Sequence, residues 1–417
     1  MAYTRRLVDD ELSELLETVG FVLIEGPKAV GKTESAKQVA KTVVRLDIDE
    51  NARILAKVAP ETLLMGDVPI LIDEWQLVPE LWAKVKVEVD TRQLKGQFIL
   101  TGSSIPDDDV TLDTNAGRVG RLKMRPMTLF EMGHSSSTVS LSNLMSNKKP
   151  TAQDPGLTLH DIAELVCIGG WPGVQGLSPD RAQRAMKSYL VEIAGKDVQR
   201  VSGKKFNKAN VLKVLKSLAR NVGTKASDTT IASDAGTKSA PLSRQVVANY
   251  LEALDRVMVT EDNPPWTPQL RSKTRVNGSA TRYFIDPSLA VAAIGASPTV
   301  LLGGQIKLFG FLFENLVVRD LRCYMQAIYG EVKQYRDDAG DEVDVILVMP
   351  DNSWAAIEVK LGVNQVDAAA AGLLAFRRKI DIDASGEPIF MAVVTATGPA
   401  YVREDGIYVI PIGALRP

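Results

Sequence analysis

Gly26-Pro27-Lys28-Ala29-Val30-Gly31-Lys32-Thr33 meets every fixed position of the pattern G-x-x-x-x-G-K-[ST]. Residues of these types at this spacing bind phosphate. The glycines let the backbone curl until several N–H groups face one anion, and a helix starting at the loop adds partial positive charge. Lys32 is expected to reach the β- and γ-phosphates of ATP and Thr33 to ligate Mg²⁺, with Glu34 closing the nucleotide-binding stretch. A second run, Pro69-Ile70-Leu71-Ile72-Asp73-Glu74, is an apolar segment that ends in two acids. Asp73 suits the Mg²⁺ shell, and Glu74 is placed to orient or deprotonate an attacking water. Thr101 ends a third apolar run, FILTG, where its hydroxyl could bond the γ-phosphate or that water. Arg118, Arg121 and Arg125 follow. Arg118, in a Gly-Arg step, is the expected arginine finger for charge on the leaving phosphoryl group, within its own subunit or on a neighbour.

Another set of charges lies in EVDVILVMPDNSWAAIEVKLG, Glu342 to Gly362. Two apolar runs flank a polar turn, which reads as a β-hairpin. Asp344 falls in the first run and Glu358 and Lys360 in the second, where core-facing strands avoid charge. Residues i and i+2 of a strand share a face. Glu358 and Lys360 therefore point together, Val359 points to the core, and Asp344 can lie beside them across the turn. An E-x-K pair on an exposed sheet is the plain alternative.

These residues need elements to hold them. FVLI (21–24), TVVRLD (42–47), VPILID (68–73) and QFILTG (97–102) read as strands, with helical stretches between them such as ELWAKVKVEV (80–89). Strands alternating with helices predict a parallel α/β sheet. Residues 134–156 are polar and serine-rich and read as a linker or surface loop. A helical region with CIGGWPG (167–173) and a helix over 179–198 follows. Helices near 207–223, at TTIASDAG and over 243–259, then a strand-like TRYFIDP (281–287), read as a winged helix-turn-helix. The last unit opens with the helix QIKLFGFLFENLVVRDLRCYMQ. The domain boundaries are therefore expected at 1–134, 135–204, 205–300 and 301–417.

The motifs GPKAVGKT, ILIDEWQ, FILTGSS and AGRVGRLKMRPMTLFEM, in that order, resemble the ATPase half of a prokaryotic AAA+ family. In that family the ATPase is fused to a C-terminal domain of unknown function with restriction-endonuclease-like, PD-(D/E)xK, character. IGGWPG, YFIDPSLA, FLFEN, EVDVIL and AIEVKLG extend the resemblance over nearly the whole chain. It implies an α/β protein: a P-loop AAA+ parallel-sheet domain, a helical lid, a winged helix and a C-terminal α/β restriction-endonuclease-like domain. Thr101 then sits at the sensor position. In PD-(D/E)xK domains a helix supplies a glutamate, a strand an aspartate and the next strand (D/E)-x-K. On that pattern Glu314, in FLFENLVV, joins Asp344 and Glu358 as metal ligands, hard oxygens suited to Mg²⁺ or Mn²⁺. Lys360 then helps activate a metal-polarised water.

Composition sets the outer limits. At 417 residues the chain exceeds one core, and 45% hydrophobic with 24% charged residues predicts a folded, soluble protein. Cys167 and Cys323 cannot build a disulfide framework, and His134 and His160 leave little room for zinc. No apolar run suits a membrane helix or a signal peptide, so a cytoplasmic protein without a membrane partner is expected. The net charge of −2 hides a local excess: residues 181–225 hold twelve Lys/Arg against two acids. Arg181, Arg184, Lys187, Lys204, Lys208 and Arg220 are among them. This stretch beside a winged helix predicts a DNA-backbone footprint. The expected function is Mg²⁺-dependent ATP hydrolysis whose nucleotide state regulates a DNA-binding, nuclease-like C-terminal half. The alternative is an NTPase switch for protein partners with an inert nuclease fold.

Overall fold

The computed structural model describes residues 3–103, 117–203, 205–236, 241–268, 279–337 and 340–417. The chain divides into two compact units, Met1–Arg125 with Arg256–Met258, and Pro126–Asp255 with Val259–Pro417.

The first unit opens with α1 (Val8–Thr18) and β1 (Phe21–Glu25), followed by α2 (Lys32–Lys37) and β2 (Thr42–Arg45). Then come α3 (Glu50–Val58), β3 (Ile70–Asp73), α4 (Leu81–Arg92), β4 (Phe98–Gly102) and β5 (Val119–Lys123). The strands form one parallel sheet in the order β2-β3-β4-β1-β5. Every residue of β1, β3 and β4 is buried. This is why those strands read as unbroken apolar runs rather than as alternating ones. Phe21 meets Trp82 edge-on at 5.3 Å, and Trp75 lies 5.0 Å from Trp82, in a core shared with Leu23, Ile70, Ile72 and Leu100. Parallel pairing places all strand C-termini on one side of the sheet, and the phosphate loop leaves β1 on that side. Helix α2 stops at Lys37, and the chain reaches β2 at Thr42.

The second unit holds all that follows Arg125 apart from Arg256–Met258. The expected linker is ordered. It contributes β6 (Val139–Ser140), which pairs in parallel with a C-terminal strand at Leu415–Arg416. Ser135 Oγ donates to Leu415 O at 2.6 Å, Ser136 N to Gly413 O at 2.7 Å, and Ser140 Oγ to Pro417 O at 2.9 Å. Its serines are backbone partners, so polarity here marks docking rather than a free tether.

Helices α5 (Leu159–Ile168), α6 (Pro179–Glu192), α7 (Lys208–Arg220), α8 (Asp228–Ala235), α9 (Arg244–Arg256) and α10 (Pro287–Ile294) follow. At the expected wing, between α9 and α10, the described residues form isolated bridges: Thr260 with Phe284, Asn263 with Thr281, and Arg282 with Thr224, which lies between α7 and α8. The same stretch reaches the last sheet: Trp266 N donates to Gln334 O at 2.6 Å, and the Trp266 ring lies 4.8 Å from Trp354. The boundary expected at 300/301 is therefore crossed by packing.

The C-terminal part comprises α11 (Ile306–Gln326), β7 (Glu331–Arg336), β8 (Glu342–Val348), β9 (Trp354–Lys360), α12 (Val366–Lys379), β10 (Met391–Thr395), β11 (Tyr401–Val402) and β12 (Tyr408–Pro411). The sheet order is β11-β12-β10-β9-β8-β7. The hairpin of β8 and β9 is antiparallel, and α12 carries the chain over to β10, parallel to β9.

Candidate functional site

The phosphate loop runs from Gly26 to Gly31, where Gly31 holds φ 109°, a region closed to most side chains. A Cβ on Gly26 would stand 2.4 Å from Met124 O, so the loop lies against the chain leaving β5. Lys32 is only 5% exposed, and its Nζ donates to Gly26 O and Pro27 O, both at 2.8 Å. Burial pulls its pKa down to about 8, with Glu74 and Asp73 opposing the shift. Thr33 Oγ1 donates to Asp73 Oδ1 at 2.7 Å, so the two expected Mg²⁺ ligands meet.

Asp73 ends β3 in register with Thr101 on β4. The Thr101 hydroxyl donates to Asp73 Oδ1 and accepts from Glu74 N at 3.4 Å, so it braces the acids. Glu74 adopts the left-handed region at φ 56°, which turns its side chain out of the strand line. Its Oε2 accepts from the Gln76 amide and from Ser103 Oγ at 3.4 Å. Thr33, Asp73, Glu74, Thr101 and Lys32 thus come together as the motifs imply.

The arginines do not. Arg118 precedes β5 and pairs with Asp90 at 2.6 Å, and its carbonyl accepts from Phe21 N. That is the N-terminal end of the sheet, opposite the phosphate loop. A finger role within its own chain is therefore corrected by strand direction. Arg121 pairs with Glu25 at 2.9 Å. Two arginines with no motif around them stand nearer the site. Arg45 ends β2 with Nε 3.5 Å from Asp73 Oδ2. Arg6, buried, donates to Val30 O in the loop at 2.9 Å. Neither had a sequence signal, because each reaches its partner only through tertiary structure.

In the second unit, Asp344 Oδ2 accepts from Val359 N at 2.8 Å and from Lys360 Nζ at 3.1 Å, and Lys360 Nζ lies 2.5 Å from Glu358 Oε2. Val359 is buried between them, as strand alternation requires. Glu314, on α11, accepts a hydrogen bond from the Tyr283 hydroxyl. Burial pushes the Glu314 carboxyl well above its usual range, and the charge of Asp344 adds to that. Burial and then Asp344 raise Glu358 to about 8. Lys360 is raised despite its burial, by Asp344 and Glu358. The charge of Asp344 adds to the raised proton affinity of Glu314 and Glu358, and all three are hard oxygen donors of the kind a divalent cation takes, though their ligand atoms do not all lie within 4.8 Å of one another. In this structure Lys360 bridges Asp344 and Glu358.

Among the described residues, the acids and histidines whose ligand atoms all lie within 4.8 Å of one another are His160, Asp161 and Glu164. Asp161 there forms a capping box with Thr158 at the start of α5, which accounts for it structurally.

The basic stretch lies on α6, α7 and the segment between them, with Arg181, Arg184, Lys187, Lys208, Lys213, Lys216 and Arg220 exposed. Arg220 pairs with Asp234 and Arg200 with Asp197 at 3.6 Å. Lys204 lies outside the described residues. Among the described residues, no helix is long and apolar enough to cross a membrane.

Residues 19–133 match the family model of an AAA domain. Residues 159–300 and 309–415 match two domains of unknown function, DUF8612 and DUF4143. Two mycobacterial relatives, Uncharacterized protein Mb2031c of Mycobacterium bovis and Uncharacterized protein Rv2008c of Mycobacterium tuberculosis, are each 23% identical over 330 residues, 78% of this chain and 67% of theirs. A Walker-type ATPase of Pyrococcus abyssi, PabY2304, aligns at 15% identity and TM-score 0.44 over 70% of this chain and 96% of its own. The family match and the joined Lys32, Thr33, Asp73 and Glu74 make residues 19–133 an AAA-type ATPase domain.

Proposed function

We propose that this chain is a cytoplasmic, Mg²⁺-dependent AAA+ ATPase whose nucleotide state regulates a DNA-binding, nuclease-like C-terminal half. The supporting observation is that one chain carries both the phosphate loop with its paired acids and the cluster of Asp344, Glu358, Lys360 and Glu314. Helix α11 supplies the glutamate, β8 the aspartate and β9 the E-x-K, the order a PD-(D/E)xK site requires. Thr33 and Asp73 would hold Mg²⁺ at the ATPase site, and Glu314, Asp344 and Glu358 would hold Mg²⁺ or Mn²⁺ at the other. The bound metal would polarise a phosphodiester and acidify a water, with Lys360 beside it.

A second reading has its own support. Lys360 bridges both strand acids, which suits an inert fold that binds protein partners under an NTPase switch. Plasmid and oligonucleotide cleavage with Mg²⁺ or Mn²⁺, with and without ATP, separates the two. Metal-dependent cutting is expected, lost in Asp344→Ala and no longer ATP-responsive in Lys32→Ala. Intact ATP hydrolysis with no cutting under any metal favours the inert fold.

DNA binding has a separate signature. Affinity is expected to fall steeply with salt, because phosphate contacts release counterions. Lys213→Ala and Lys216→Ala, on the exposed face of α7, should each weaken binding to all sequences alike and lower the salt slope by about 1. Salt-independent or absent DNA binding would leave protein partners as the reading.

A further inference from the structure

We propose that Arg6 is a positioning residue of the nucleotide site, through which the segment preceding α1 holds the phosphate loop in its binding shape. Arg6 lies outside the stretch that matches the AAA domain, residues 19–133. It is nevertheless 5% exposed, with Nη1 donating to Val30 O at 2.9 Å and Nη2 to Arg125 O at 2.7 Å. One planar guanidinium therefore ties the loop to the chain just beyond β5. A lysine could not make both bonds in that fixed fork.

The orientation of the bond gives it a consequence. In a trans peptide the C=O and the following N–H point in opposite directions. Holding Val30 O toward Arg6 turns the Gly31 N–H away from Arg6, which fixes one donor of the loop. Gly31 takes φ 109° where the loop continues into α2, so this peptide borders a left-handed residue. Met124 also abuts the loop, where a Cβ on Gly26 would strike Met124 O. A second contact runs parallel to the first: the Tyr3 hydroxyl lies 2.8 Å from Ser35 Oγ on α2 and donates to Asp9 at 2.7 Å. The segment thus grips both the loop and the helix that begins there.

A group that shapes the loop before nucleotide arrives acts on binding, and coupling between two such sites is reciprocal. Bound nucleotide should steady the segment as much as the segment steadies the loop. The proposal rests on ATP binding at residues 26–33. The full chain, Arg6→Lys and Arg6→Met would be titrated with ATP and ADP by calorimetry, with steady-state turnover alongside. Arg6→Met is expected to weaken both nucleotides about ten-fold, a loss of uniform binding that raises KM and leaves kcat at saturating ATP nearly unchanged. Arg6→Lys should recover part of the loss. Amide exchange in the wild-type chain should slow over the segment preceding α1 when ATP is added, a readout that needs no variant to fold. Wild-type affinity in folded Arg6→Met, or exchange in that segment indifferent to ATP, overturns the role of Arg6 alone. A wild-type chain that binds no ATP overturns the ATPase reading itself.

Discussion

Glu74→Gln is expected to lower kcat for ATP hydrolysis by about 10²–10⁴-fold, the usual contribution of a general base. ATP affinity should stay near that of the wild type. The substitution keeps the shape of the side chain and its hydrogen-bonding length but removes the carboxylate proposed to accept a proton from water. The geometry makes Glu74 a strong candidate for that task. It follows Asp73, which Thr33 and Thr101 already engage, and its left-handed backbone swings it out of the sheet. A non-glycine residue held in that conformation is uncommon, and such strain gathers at functional sites. Gln76 and Ser103 both donate toward Glu74 Oε2, so the carboxylate is oriented before any water arrives. Steady-state turnover and calorimetric ATP binding on the same preparations check the split. Unchanged kcat would reduce Glu74 to a turn residue between β3 and the short helix after it. Lost affinity with lost turnover would make it part of nucleotide binding.

The legible features share a physical cause. Fixed-spacing motifs survive because their chemistry is local: the phosphate loop, the acids after β3 and the E-x-K on β9 each need neighbours within a few residues. Strands β1, β3 and β4 were readable because burial on both faces leaves no polar alternation. What escaped the sequence depends on distant partners. Arg6 and Arg45 look like ordinary charges until tertiary structure brings Val30 and Asp73 to them. Arg118 lies away from the phosphate loop of its own chain for a directional reason: it stands before β5, and parallel strands send such residues to the opposite end, which leaves the site of a neighbour as the other expectation. The serine-rich segment after residue 134 looked like a tether because serine is common in loops, yet its N–H and hydroxyl groups serve the backbone near the C-terminus. Tyr283 gave no signal at all, although its hydroxyl is what Glu314 accepts from.

Arg319→Leu should destabilise the second unit by about 3–5 kcal/mol, the scale expected when a buried ion pair loses one partner. Arg319, 1% exposed on α11, bonds Asp286 through Nη1 at 2.8 Å and Asp320 through Nε at 2.8 Å and Nη2 at 2.7 Å. Each acid also takes backbone donors from elsewhere: Asp286 from Gly170 N at 2.9 Å and Asp320 from Leu129 N at 2.9 Å. Removing the arginine leaves two buried carboxylates with no cation. Burial already holds Asp320 above the usual carboxylate range, against the pull of Arg319. Without Arg319 that opposing pull is gone and the folded pKa rises further. An acid whose folded pKa exceeds its unfolded value binds its proton more tightly in the native state. Its penalty is full above the folded pKa and fades as pH falls through it. The deficit of Arg319→Leu, read from urea midpoints, should therefore shrink as pH falls through the raised Asp320 pKa toward the ordinary carboxylate range. A deficit that is constant with pH would assign the loss to packing alone. Replacing Arg319, Asp286 and Asp320 together by apolar residues should cost less than the single change, since no charge is then stranded. The same network gives IGGWPG and YFIDPSLA a structural role. A Cβ on Gly170 would stand 2.2 Å from Met127 O, and Asp286 caps α10 through Ser288 N at 2.9 Å while it holds Arg319. These motifs are the points where residues 127–131, 169–170 and 286–288 lock onto α11. They fix the helix that carries Glu314.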